Sequence, residues 1–222
     1  MNPLEQHEIF EMEVLERLKS SRILEQLIFG GGTMLRLCHE LPRYSVDLDF
    51  WKSKDMDDEQ LLTKIQSYLK KYYEITDAQL KRFTVLVEMR SSRYPRRLKI
   101  EIRRERRDWE VEDRIAFSPY SPIQVLVRAH TLQQTMRNKI EALIDRGAIR
   151  DAFDLEFIIR KGISLPRLSS EQKQRLLERI HQFKLRDFKV TLGALIPANL
   201  RDYYIKNGFR FLEEKISKSG TV

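Results

Sequence analysis

The chain has 222 residues, 41% hydrophobic and 33% charged, enough for one large domain or two small ones, and no run of 18 apolar residues offers a membrane span. Lys and Arg number 41 against 33 Asp and Glu, a formal charge of +8 that suits a polyanionic partner. One cysteine excludes an internal disulfide and fits a reducing cytoplasm, as does an N-terminus without the basic start and apolar run of a signal peptide.

Residues 4–28, with Leu4, Ile9, Phe10, Val14, Leu15 and Leu18, then Ile23, Leu24 and Leu27, read as an N-terminal helix packed on a sheet, and Leu27 to Phe29 as a short buried strand. Gly30, Gly31 and Gly32 follow directly. Thr33 suits a helix N-cap, Met34, Leu35, Leu37, Cys38 and Leu41 make an apolar stripe, and Pro42 is expected to stop the helix. Cys38 lies within that stripe and reads as core. Val46, Leu48 and Phe50 then alternate with Asp47, Asp49 and Trp51, the period of a strand, which places both aspartates on one face. Two carboxylates so placed suit hard divalent cations shared with phosphate oxygens. A glycine turn opening a helix suits an anion, because backbone N–H groups can approach it closely and the helix dipole favours negative charge.

Lys54 to Asp58 reads as a polar loop, and Leu61, Leu62, Ile65, Tyr68 and Leu69 as a helix ending near Tyr72. Phe83 to Met89 reads as a strand paired in a hairpin with R-R-L-K-I-E-I-R-R, where Leu98, Ile100 and Ile102 alternate with Lys99, Glu101 and Arg103. Glu101 is therefore on the polar face and is the candidate third carboxylate. Arg93, Arg96, Arg97, Arg103 and Arg104 crowd the same region and read as a phosphate-tracking rim beside the carboxylates, with Tyr94 and Trp109 available to stack on bases. The four histidines are scattered without metal-ligand spacing.

Asp113 to Pro122 reads as a loop or short strand, and Ile123 to Val127 as strand-like. The composition turns helical near residue 125, which divides the chain into a core at 1–125 and a helical lobe at 126–222. In that lobe T-L-Q-Q at 131–134 resembles a capping box. Lys139 projects from one helix, and Arg150, Asp151 and Asp154 open the next after Gly147. A lysine is a compact charge able to bind phosphates, and Asp151 is placed to orient it. Arg146 and Asp154 read as closer to structural. A helix capped by Ser169 or Ser170, and helical segments at 187–196, 198–205 and 209–216, are expected to complete the lobe, with the last five residues frayed.

G-G-T-M-L-R-L at 31–37 with R-Y-S-V-D-L-D-F at 43–50 resembles the AbiEii/AbiGii-type toxin nucleotidyltransferases of the DNA polymerase β-like superfamily. K-I-E-A-L-I-D-R-G-A-I-R-D-A-F-D-L at 139–155 resembles that family's second hallmark. The resemblance implies an α+β fold, a nucleotidyltransferase-like mixed β-sheet with flanking helices and a helical C-terminal lobe, with the nucleotide in the cleft between. It implies two Mg²⁺ ions on Asp47, Asp49 and Glu101, and Glu101 as base. It implies an NTP bound by Gly31, Gly32, Thr33, Arg43, Ser45 and Lys139, with Asp151 in the catalytic set. It further implies an RNA acceptor, tRNA 3′ ends among the candidates, and a cognate antitoxin. A non-catalytic RNA-binding relic, or transfer to a protein or small molecule, are the alternatives.

Overall fold

The computed structural model describes residues 1–54 and 56–220; Asp55 of the expected polar loop and Thr221 and Val222 of the expected frayed tail lie outside the described residues. The chain divides into two compact units, Met1–Glu40 with Tyr44–Thr131, and Leu41–Arg43 with the chain from Leu132 onward.

The first unit holds a seven-stranded mixed sheet in the order β3-β4-β5-β2-β1-β7-β6. The strands are β1 (Leu27–Gly30), β2 (Asp47–Lys52), β3 (Glu74–Leu80), β4 (Thr84–Arg90), β5 (Leu98–Arg103), β6 (Val111–Ser118) and β7 (Ser121–His130). Three helices accompany them: α1 (Pro3–Ser20), α2 (Gly31–His39) and α3 (Asp58–Leu69). The period-2 patterning does what the sequence predicts. Leu48, Phe50, Leu98, Ile100 and Ile102 are fully buried, while Asp47, Asp49, Lys99, Glu101 and Arg103 on the other face are only half-buried. Each such apolar side chain contributes about 1.5–3 kcal/mol when removed from water, which pins the register. The hairpin expected between 83–89 and 97–103 forms as β4 and β5.

Two strands differ from expectation. β3 carries no fully buried side chain and is paired only with β4 at the sheet's edge, so the sequence offers no alternation to read. β6 is a full strand where a loop or short strand is expected, and β7 runs on to His130, past the composition shift at 125.

The second unit is helical: α4 (Leu132–Arg146), α5 (Ile149–Arg160), α6 (Ser170–His181), α7 (Ala198–Asn207) and α8 (Arg210–Lys218). α4 packs on α5 and α6, and α8 on α5 and α6, burying Leu143, Leu155, Ile158, Leu176 and Leu212. Ser169 caps α6 in a reciprocal capping box with Gln172, as expected. Asp187–Leu192 forms a turn of π-helix. In the described part of the tail, the Leu168 N–H donates to Gly220 O at 3.3 Å. Among the described residues no helix is long and apolar enough to cross a membrane.

Candidate active site

Asp47 and Asp49 stand two residues apart on β2 and so share a face. β5 runs parallel to β2 with Asp47 opposite Lys99 and Asp49 opposite Glu101. In-register neighbours point to the same side of a sheet, and adjacent strands lie about 4.8 Å apart. The three expected carboxylates are therefore gathered on one face. On its other side Asp49 is paired with Gly30 of β1. One row across the face thus reads Gly30, Asp49, Glu101, Leu86, and the next reads Asp47, Lys99, Glu88. The Lys99 ammonium lies 4.0 Å from Glu88, whose carboxyl is held below the usual range first by the Thr76 hydroxyl and then by Arg97 and Lys99, against burial.

α2 begins at Gly31, immediately after β1. Gly31 has φ +72°, and a Cβ there would overlap the Asp49 carboxylate. A Cβ on Gly30 would meet the Trp51 ring and His130 Nδ1. Both glycines are thus required by close approach, one of them also by its backbone. The helix start brings free N–H groups and the positive end of a dipole next to Asp49, which favours anionic groups there.

The N-cap of α2 is Gly30, not Thr33. Thr33 sits one turn in and is fully buried, and its Oγ1 donates to the main-chain carbonyl of Asp47 at 2.6 Å. Its hydroxyl fixes the position of β2 and is not presented to a phosphate. Nor does Pro42 end the helix: the cap is Glu40, in a left-handed conformation with φ 62°. Ser45 lies half-buried in the loop leading to β2.

Three polar residues of α1 that the sequence motifs do not single out lie behind this site. His7 is fully buried and its Nε2–H donates to Val46 O, 2.9 Å away and one residue before Asp47. Burial lowers its pKa, which keeps the ring neutral. Glu11 is buried, and its Oε1 has no hydrogen-bond partner. Burial, then the charges of Glu8 and Asp47, hold its pKa well above the usual carboxylate range despite Arg36. Glu8 accepts from Arg36 Nε at 2.9 Å and from Ser118 Oγ at 2.7 Å.

In the second unit, Lys139 is 8% exposed and reaches Asp151 Oδ1 at 2.9 Å and Asp154 Oδ2 at 2.7 Å. Arg146 is bidentate to Asp151 at 2.7 and 2.8 Å, and Arg43 is bidentate to Asp154 at 2.7 and 2.6 Å. Burial would raise the pKa of Asp151, but Lys139 and Arg146 overcome it and bring it to about 2. Asp154 is lowered in the same way, burial being outweighed by Arg43 and Lys139. The second motif is therefore one ion network, buried at Asp151, Asp154, Arg43 and Lys139 and open to solvent at Arg146. Arg43, expected to touch nucleotide, is 2% exposed and part of that network, a correction to the sequence reading. Asp154 and Arg146, read as structural, are its members too.

The basic residues do not make a single rim. Arg93 is bidentate to Glu13, Arg97 pairs with Glu88, and Arg104 pairs with Asp58 and donates to the Lys81 and Arg82 carbonyls. Arg96 is exposed and Arg103 half-buried. β5 separates them: Lys99 is level with Asp47, whereas Arg103 is level with Trp51 at the other end of β2.

All three carboxylates offer oxygen, the donor a hard divalent cation prefers, and the glycine turn packs closely against the Asp49 carboxylate. Among the described residues, however, no group of three or more His, Cys, Asp or Glu side chains could hold a metal ion on its own. The arrangement fits a cation held by one or two carboxylates and completed by substrate phosphates.

A family model described as nucleotidyl transferase AbiEii toxin, type IV TA system, matches residues 13–215. No curated protein matches. Among solved structures, the chain is similar to JHP933 from Helicobacter pylori, with 20% identity, 95% of this chain and 94% of that one covered, and a TM-score of 0.57. It is also similar to MenT4, a nucleotidyltransferase toxin from Mycobacterium tuberculosis H37Rv, with 16% identity, 92% and 85% covered, and a TM-score of 0.50.

Proposed function

Because the chain belongs to the family of AbiEii nucleotidyltransferase toxins of type IV toxin–antitoxin systems, we propose that it transfers the nucleoside monophosphate of an NTP to a hydroxyl of RNA, tRNA 3′ ends foremost. A cognate antitoxin follows from the same membership. The observation that carries the reaction is the in-register placement of Asp49 beside Glu101, one pleat from Asp47 and adjacent to a glycine helix start.

Asp47 and Asp49 would hold Mg²⁺, which would supply neutralisation of charge on the triphosphate oxygens. The N–H groups at Gly31 and Gly32 receive the anionic tail of the NTP. Glu101 accepts the proton of the acceptor hydroxyl. The freed oxygen bonds to the α-phosphorus, the bond from that phosphorus to the bridging oxygen breaks, and pyrophosphate leaves. Thr33 and His7 position the aspartates by holding the backbone at Asp47 and Val46. The excess of eight positive charges favours a polyanionic acceptor over a cationic one.

Sequencing RNA 3′ ends after expression tests this. Added nucleotides with the native chain and none with Asp49→Ala are expected. Unchanged ends in both remove RNA as acceptor. Label from NTP recovered in protein instead moves the acceptor class.

A further inference from the structure

The face that carries the carboxylates does not end at Asp49. Trp51, one pleat further along β2, is level with Ile28 and Arg103. Phe29 pairs with Ala129 in parallel, so Arg128 lies beside Ile28 on that same face. The rings of Trp51, His130 and Trp109 form a continuous wall there, with centroids 4.6 to 6.0 Å apart. Beyond the wall is a pocket of about 260 Å³ lined by Ser53, Arg106, Arg107, Asp108, Trp109 and Arg128.

The polar chemistry of this pocket is one-sided. Ser53 Oγ and Trp109 Nε1 are shielded from solvent and have no hydrogen-bond partner among the described residues. An indole N–H and guanidinium groups can only donate, and a hydroxyl can donate as readily as accept. Arg106, Arg107 and Arg128 are exposed at the rim, and Arg107 lies over the Trp109 ring at 5.6 Å. Glu105 pairs with Arg107 at 2.9 Å and Asp108 is the only acid among the described lining residues, so positive charge prevails among them. The cationic lining of this pocket calls for an anion rich in acceptor oxygens. The volume is below the usual range of about 300–1,000 Å³ for small-molecule sites and suits a phosphate rather than a whole nucleoside.

We propose that this pocket binds a backbone phosphate of the RNA acceptor, away from the reacting end. The proposal rests on the RNA reading above and adds a second anchor to it. From Asp47 to Ser53 is six residues, or about 20 Å along a strand at 3.3 Å per residue. In a duplex-like strand with one phosphate per about 3.4 Å, the anchored phosphate is about six nucleotides from the reacting hydroxyl. The pocket therefore sets a minimum acceptor length, and phosphate contacts of this kind fix register without reading bases.

Binding of labelled bulk tRNA, measured by fluorescence anisotropy over a salt series, tests the pocket without requiring transfer. Arg128→Ala is expected to weaken binding about three- to tenfold and to reduce the log–log salt slope by about one. Arg175→Ala, on α6, serves as a charge-matched control with native binding. In the transfer assay Arg128→Ala should raise the KM for tRNA and leave kcat and the KM for NTP unchanged. A three-nucleotide acceptor should be bound equally by the native chain and Arg128→Ala. Native affinity and salt slope in Arg128→Ala overturn the proposal, as does an equal loss in Arg175→Ala. If tRNA is never extended but Arg128→Ala still loses binding, the transfer reading fails and the pocket stands. If tRNA is extended with native KM by Arg128→Ala, the pocket fails and the transfer reading stands.

Discussion

Gly31 and Asp49 are fitted to one another: the glycine occupies the left-handed region at φ +72°, and any side chain there would collide with the Asp49 carboxylate. Gly31→Ala therefore does two separable things. It strains the backbone by about 1–2 kcal/mol and it displaces a carboxylate from its place beside Glu101. A misplacement of about 1 Å at such a site can cost about 100-fold in rate. Transfer should fall at least that far while the melting temperature drops only a few degrees. Gly162→Ala is the matched comparison, since Gly162 has φ +91° with nothing within 4 Å of a Cβ. It should show the strain without the loss of rate. Equal activity of the two variants would falsify the role given to the Gly31–Asp49 contact.

Glu101→Gln separates proton transfer from charge. The amide keeps the shape beside Asp49 but cannot accept a proton, and loss of a general base costs about 10²–10⁴-fold. The expected outcome is a kcat reduced by that amount with NTP binding retained, read by single-turnover transfer and by nucleotide titration. Asp49→Asn should lose nucleotide binding along with rate. A Glu101→Gln chain with native kcat would assign the base to another group.

The strands that bear the carboxylates are legible in the sequence because each buries one face completely. Leu48 and Phe50 in β2, and Leu98, Ile100 and Ile102 in β5, force the acids onto the opposite face. β3 escapes because an edge strand without a buried side chain leaves no alternation. Thr33 is misread because a hydroxyl after glycines looks like a cap, whereas Gly30 reaches the cap conformation without a side-chain bond. His7, Glu8 and Glu11 were within reach. They fall at 7, 8 and 11 of a buried stripe continued by Val14, Leu15 and Leu18, so polar groups stand where the helix period demands apolar ones. Arg43 and Asp154 are 111 residues apart, and no local pattern announces that they pair.

The network of Arg43, Asp154, Lys139, Asp151 and Arg146 sets three cations against two carboxylates. Removing one buried partner costs about 3–5 kcal/mol, because the remaining charge stays out of water unpaired. Asp154→Asn should lose about that much in urea unfolding, and Arg43→Met in the same chain should restore part of it. A double variant no better than the sum of the two single ones would mean that the pair is not coupled.

Acid should strike the same network. The pKa of Asp151 is depressed to about 2 when folded, against about 3.8 for a free side chain, so its stabilisation is complete above 3.8. It is lost as pH falls from there through 2, and the total is about 2 kcal/mol. Asp151→Asn should flatten the acid limb of the stability curve over that interval and leave its neutral limb parallel to native. An unchanged acid limb would place the proton uptake elsewhere.

Glu11 acts at the other side of the pH scale. Its pKa is raised when folded, by burial first and then by Glu8 and Asp47, so the folded chain keeps the proton after the unfolded chain has released it at about 4.5. The sign is opposite to that of Asp151: stability is intact below 4.5 and declines as pH rises, by up to about 1.4 kcal/mol per unit, until the folded pKa is reached. Glu11→Gln removes that decline, because a neutral amide has no proton to lose. In the metal-free protein, kept so by chelator, the variant should match native stability at pH 4.5 and exceed it at higher pH, by a margin that grows until the folded pKa is reached. A constant difference across that range would show that Glu11 is ionised in the folded chain. In that case Glu11 Oε1, which has no hydrogen bond and lies 3.7 Å from His7 Nε2, would need another source of compensation.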